Sequence, residues 1–133
     1  MINISEKAIS PDKVIAKAKR ISSGCVVTYV GLIREISFGK PVLSVEYIDA
    51  MSDAKTKLSE IADEARQKWS VDNIAISHRI GKLNVGDINL VVAVAAAHRS
   101  EGFDACQYII DQFKQRLPTN KIETYNDHTT HTG

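Results

Sequence analysis

Residues 88 to 97 read INLVVAVAAA, and His98-Arg99-Ser100 follow with no spacer. This run carries no charge and no polar alternation after Asn89. It is far shorter than the roughly 20 apolar residues of a membrane span. It reads as a central strand buried on both faces, which needs helices above and below the sheet. Downstream, Ser100 is placed to cap a helix to about Arg116. There Phe103, Cys106, Ile109, Ile110, Phe113 and Leu117 recur at helical spacing, and Pro118 stops the helix. Upstream, Asn73 to Ile80 alternates, with Ile74, Ile76, His78 and Ile80 on one face. Gly81 and Gly86-Asp87 mark turns.

Farther out, Ser52 can cap a helix through about Lys68, with Ala54, Leu58, Ile61, Ala62, Ala65 and Trp69 as its buried stripe. Its opposite face carries Lys55, Lys57, Glu60, Asp63, Glu64 and Lys68, as a solvated face does. Cys25 to Arg34 is β-branched and reads as a strand. Gly31 interrupts it, which predicts a bulge or a close backbone approach. After a Ser37–Pro41 loop, Val42 to Ile48 reads as a strand with Leu43, Val45 and Tyr47 on one face and Ser44 and Glu46 on the other. Ser10-Pro11-Asp12 opens a first helix to about Ser22. These elements predict an α+β fold with helices against a mixed sheet. One domain is expected over 1–123. Residues 124–133, too poor in apolar groups to pack alone, are expected to form a polar tail.

Composition excludes more than it selects. The 133 residues are 44% apolar and 25% charged, with a net charge of +1. No global field favours nucleic acid or a membrane surface, and neither is expected as a partner. Met1 to Ser10 lacks the apolar centre of a signal peptide, so the cytoplasm is the expected location. Cys25 and Cys106 lie in apolar patterns and read as buried thiols. Neither they nor the four histidines have a metal-ligand spacing, so no metal or cofactor is expected.

Three places can carry chemistry. At His98-Arg99 two potential cations end an apolar strand where a helix begins. Free N–H groups and the helix dipole favour an anion there, phosphate above all, and arginine adds a planar fork. The alternative is that Arg99 pairs with a carboxylate and His98 merely closes the strand. Arg34 ends the Gly31 strand before a loop with Gly39 and Lys40; it is either a ligand cation or an ordinary exposed strand-end arginine. Lys121, just past Pro118, is a surface lysine on local grounds. His78, on an apolar face, reads as a core histidine. The chain has no nucleophile motif, phosphate-binding glycine loop or paired cysteines.

Taken together, four segments do more than any of them alone. CVVTYVGLIREISFGKPVLSVEYIDAM, SEIADEARQKW, ISHRIGKLNVGD and VAVAAAHRSEGFDACQYIIDQFKQRLP resemble, in order and at near-constant spacing, blocks of the catalytic (large) subunit of molybdopterin synthase. The resemblance implies an α/β hammerhead with a mixed sheet and a small antiparallel subdomain. It implies a sulfurtransferase of molybdenum cofactor biosynthesis. Such an enzyme converts cyclic pyranopterin monophosphate (precursor Z) to molybdopterin. The sulfur comes from the C-terminal thiocarboxylate of a small ubiquitin-like subunit ending in Gly-Gly. It further implies a homodimer of large subunits within a heterotetramer. By the same resemblance, Leu32, Ile33 and Arg34 contact the substrate. His98 and Arg99 hold its phosphate from the neighbouring protomer, and Lys121 is the active-site lysine. An ammonium at that point can stabilise the anion that forms as sulfur attacks, or hand over a proton.

The chain departs from the family pattern around that lysine. Thr119, Asn120 and Ile122 replace an apolar residue, a tryptophan and a second basic residue, and DHTTHTG replaces a segment with glycine and tryptophan. Two further readings therefore stand beside the synthase. One is a relative that binds a pterin phosphate or a partner without turnover; the other is an unrelated phosphate-ligand binder.

Overall fold

A computed structural model describes residues 1–133. The elements run β1 (Ile2–Ser5), α1 (Pro11–Ala18), β2 (Cys25–Leu32), β3 (Ile36–Ser37), β4 (Lys40–Ile48), α2 (Ala54–Lys68), β5 (Asn73–Arg79), β6 (Gly81–Asn84), β7 (Ile88–Ala96), α3 (Arg99–Gln115), β8 (Asn120–Tyr125) and β9 (Thr130–Thr132). The larger sheet has the order β1-β5-β7-β2. Only β1 and β5 pair in parallel, so the sheet is mixed.

The opening stretch behaves as its composition demands. Leu90, Val92 and Val94 point to one side and pack with Leu58 and Ile61 of α2 and Ile109 and Phe113 of α3. Val91, Ala93 and Ala95 point to the other, against Val14 and Ala18 of α1. Because neighbouring side chains alternate between faces, β7 must be apolar throughout to lie between two helical layers. The second sheet is antiparallel, in the order β3-β4-β8-β9, with β6 also paired to β4. It encloses Ile33, Val42, Val45, Tyr47, Leu83 and Tyr125. The architecture is thus α+β, with a mixed sheet and a small antiparallel sheet, as expected. No helix is long and apolar enough to cross a membrane.

Some expectations need correction. The first helix ends at Ala18, four residues short of Ser22, and Ser10 makes no side-chain cap. Ser52 does not cap α2: it adopts φ 54°, and the Asp49 carboxylate instead accepts from the Ala54 N–H at 3.1 Å. Leu43 is exposed, not on the buried face with Val45 and Tyr47. A register irregularity between Val42 and Ser44 shifts it, because one extra residue swaps the faces of a strand. The bulge expected at Gly31 is present between Gly31 and Leu32. A Cβ on Gly31 would lie 2.8 Å from the Asn89 Oδ1, so glycine permits this approach.

The largest correction concerns the chain end. Residues 124–133 are not a loose polar tail: β8 runs through the expected boundary, and β9 pairs back on it from Ile122↔Thr132 to Thr124↔Thr130. Its turn is fastened from outside. Lys40 reaches the Asp127 carboxylate at 3.1 Å and donates to the Thr129 hydroxyl at 3.1 Å. The Thr129 hydroxyl and N–H, with Lys40, pull the Asp127 pKa down to about 2.

Candidate active site at the seam of the two sheets

Past the Gly31 bulge, the chain leaves the large sheet and is pinned to the β6–β7 turn. The Ile33 N–H donates to the Asp87 carbonyl at 2.9 Å, and the Gly86 N–H to the Ile33 carbonyl at 2.8 Å. Ile33 is buried, while Leu32 and Arg34 on either side stay exposed. These three residues form one lip of a cavity of about 650 Å³, within the usual range for small-molecule sites. Tyr47 of β4 and Phe113 and Lys114 of α3 supply further walls, and Lys121 and Glu123 of β8 face them. Leu32, Ile33, Arg34 and Lys121, distant in sequence, therefore meet in one place.

The electrostatics are cationic with one internal carboxylate. Arg34, Lys114 and Lys121 line the cavity together with Glu123. Lys121 Nζ lies 3.3 Å from Glu123 Oε1, and Glu123 is buried. Burial pushes its carboxyl up, but the Ser37 hydroxyl, the Lys121 ammonium and the Tyr125 hydroxyl outweigh this and hold it below the ordinary range. It stays ionised and fixes the lysine. Arg34 forms no ion pair, unlike Lys40, Lys57, Arg66, Arg79, Arg116 and Lys121. At the floor, Asn89 donates to the Tyr47 hydroxyl at 3.0 Å, while its Oδ1 is buried without a partner. Burial holds the Tyr47 phenol above its ordinary pKa, so it remains protonated.

The departures around Lys121 fall into place on β8. Asn120 and Ile122 alternate with Lys121 and Glu123 and so occupy the opposite face of the strand; only the latter two line the cavity. Thr119 is buried, and its hydroxyl lies 3.0 Å from His78 Nε2. The chain end supplies a wall of its own. His131 pairs with Glu123 across β8 and β9, lines the cavity and packs its ring, tilted by 58°, against Phe38 with the centroids 4.7 Å apart. The Gly133 N–H closes the hairpin on the Lys121 carbonyl at 2.9 Å.

His98 and Arg99 are not in this cavity. His98 occupies the N-cap of α3, two residues before the expected Ser100, and makes no side-chain cap. Both residues are exposed and neither enters an ion pair, so the simple alternative of an Arg99–carboxylate pair does not hold. They follow the far end of β7, whose near end pairs with Leu32. The nine residues of that strand, at about 3.4 Å each, put them roughly 30 Å from Arg34 within one chain.

Sequence reasoning missed Phe38, Lys114, Glu123 and His131. For His131 a signal existed: Thr129, Thr130 and Thr132 are β-branched, and Asn126-Asp127 is turn-forming.

Comparison with known proteins places the chain in a family. Residues 4–116 match the MoaE protein family. This chain belongs to that family. It is 36% identical to the molybdopterin synthase catalytic subunit of Thermoplasma volcanium, over 88% of this chain and 85% of that one. It is 39% identical to the corresponding Nostoc subunit, over 90% and 73%. A crystal structure of molybdopterin synthase from Staphylococcus aureus superimposes with a TM-score of 0.90 at 30% identity, covering 98% of this MoaE-family chain and 95% of that one.

Proposed function

We propose that this chain is the catalytic subunit of a molybdopterin synthase. It transfers sulfur from the thiocarboxylate of a small ubiquitin-like subunit ending in Gly-Gly to cyclic pyranopterin monophosphate. The observation that carries the reading is the convergence of Leu32, Ile33, Arg34 and Lys121 on one cationic cavity. In this mechanism the carrier's C-terminus enters the cavity, and its sulfur bonds to a carbon of the pterin as a carbon–oxygen bond there breaks; water then cleaves the acyl–sulfur bond, which leaves the sulfur on the pterin and returns the carrier as a carboxylate. The Lys121 ammonium, held by Glu123, stabilises the charge that develops. Arg34 and Lys114 offset the charge of the carboxyl-derived group and the substrate. Asn89 Oδ1 offers an acceptor to a pterin N–H. His98 and Arg99 bind the phosphate from a second copy, so the working unit is a homodimer within a heterotetramer, in the cytoplasm.

The test is reconstitution. The purified chain, a thiocarboxylated small partner and precursor Z are expected to yield molybdopterin. Absence of product, with the partner tightly bound, would select the non-catalytic relative instead. The phosphate role has its own measurement. Arg99→Ala is expected to weaken binding of the pterin phosphate by about 1.5–3 kcal/mol, the range for a charged hydrogen bond. An unchanged dissociation constant in calorimetry would remove Arg99 from the site.

A further inference from the structure

We infer that Phe38 and His131 form a ring bridge over one end of the cavity, and that this bridge selects a carrier whose C-terminal residues have no side chains. The inference rests on the sulfur-transfer reading above and assigns the residues that choose the sulfur donor. The β3–β4 connection is a two-residue turn, because Ser37 pairs with Lys40. Phe38 and Gly39 between them have φ 51° and 73°. Turns of this kind favour Asn-Gly, and a bulky side chain at positive φ is an outlier. Such strain persists only where the surroundings hold it, and it gathers at ligand clamps. Burial of the Phe38 ring does not offset it, since the residue stays 72% exposed. What the ring meets is the His131 ring, 4.7 Å away between centroids, and both residues line the cavity.

The sheet order fixes what the bridge crosses. Phe38 sits at the β3–β4 tip and His131 on β9, with β8 between β4 and β9. That is a span of two strand spacings, about 10 Å. His131 stands opposite Glu123 and shares its face; Lys121 and Tyr125, two residues to either side, share it too. The rings therefore lie over the strand that presents Lys121. The two hairpins are tied to each other. Besides the Lys40 contacts to Asp127 and Thr129, the Asn126 N–H donates to the Pro41 carbonyl at 3.0 Å, and Lys40 Nζ sits 5.4 Å from the centre of the Tyr125 ring. The Leu32–Arg34 lip is on the other side of β4, pinned to the turn that follows β6. Arg34 and Lys114 draw the anionic substrate, whereas the bridge offers neither guanidinium nor ammonium. The bridged end is left for an extended peptide that reaches Lys121. A glycine backbone is the thinnest segment a polypeptide has. A Cβ on it meets one ring or the other, and a packed site does not absorb an added methyl freely.

The experiment measures binding of the small ubiquitin-like subunit in its carboxylate form, ending either in Gly-Gly or in Ala-Gly, by calorimetry. Neither pterin nor sulfur is needed. The wild-type chain is expected to bind the Ala-Gly carrier about 10–100-fold more weakly, the usual effect of one methyl forced into a packed site. Phe38→Ala removes half of the bridge at an exposed turn and is expected to cut that ratio to about threefold or less, a coupling between changes on the two partners. His131→Ala should do the same from the other hairpin, and Phe38→Tyr, which keeps the ring, should keep the ratio. A merely structural part for Phe38 would weaken both carriers alike. A wild type that binds both carriers equally, or a ratio that survives in Phe38→Ala and His131→Ala, overturns the inference. So does a loss of pterin-phosphate affinity with the ratio unchanged, which would put the rings on the substrate. A chain that binds no Gly-Gly carrier overturns the sulfur-transfer reading and the inference with it, an outcome distinct from carrier binding with an unaltered ratio.

Discussion

Lys121→Ala is expected to lower the rate of sulfur transfer by about 10²–10³-fold, the usual loss when one positioned group that stabilises developing charge is removed. The lysine is suited to that role by its surroundings. Glu123 holds it at 3.3 Å on the cavity face of β8, and β4 fixes the strand by pairing Tyr47 with Lys121. Arg34 and Lys114 remain in the variant, so pterin phosphate binding should change far less than turnover, which separates transition-state stabilisation from binding. The ionic environment changes in a defined direction. Without the ammonium, burial acts on Glu123 with less opposition, and its carboxyl takes up a proton at higher pH than in the wild type. Glu123→Gln supplies the control: it keeps the lysine, frees it from its anchor and is expected to cost less than Lys121→Ala. Single-turnover rates of molybdopterin formation decide the matter, and equal rates for Lys121→Ala and wild type would sink the catalytic role.

What the sequence shows and what it hides follow from where each element finds its partners. β7 was legible because burial on both sides leaves an apolar run with no alternation, and α2 and α3 because each carries a full stripe. His78 was legible as a core residue from its three isoleucine neighbours on one face. β8 and β9 were not: between Thr119 and Gly133 only Ile122 and Tyr125 are large and apolar, so no periodicity announces a strand. These strands exist because β4 offers a ladder and Lys40 fastens the turn, both remote in sequence. Leu43 misled for a related reason, since a bulge is a property of the pair and not of one strand. Arg34 and Lys121 looked ordinary alone, and only the resemblance marked them. Lys114 and Glu123 carry no local signal, because what distinguishes them is the cavity they share.

His78→Ala is expected to destabilise the fold by about 3–5 kcal/mol, combining the loss of a large buried side chain with two polar groups left without partners. His78 is fully buried between Tyr47 and Phe113, whose ring centroids lie 4.9 and 5.0 Å away. Its Nδ1 is 2.8 Å from the Asn89 carbonyl, which can only accept, so Nδ1 carries the proton and Nε2 accepts from Thr119. Thr119→Val, which keeps the shape and deletes the hydroxyl, is expected to cost about 1–3 kcal/mol by leaving Nε2 unpaired. Burial lowers the pKa of the imidazole below its ordinary 6.5, with the Asn89 carbonyl opposing. Above pH 6.5 the ring is neutral in both folded and unfolded chains and adds no pH dependence. Below it the unfolded chain binds the proton first, so stability falls with pH until the folded-state value is reached. Urea denaturation from pH 7.5 to 5 should show this slope in the wild type and a shallower one in His78→Leu. Equal slopes would mean that the imidazole is already solvated. The joint matters for function because Tyr47 and Phe113, on either side of His78, also line the cavity. One neutral histidine thus ties the small sheet to α3 where the site is built, and weakening it should loosen Lys121 and Arg34 together.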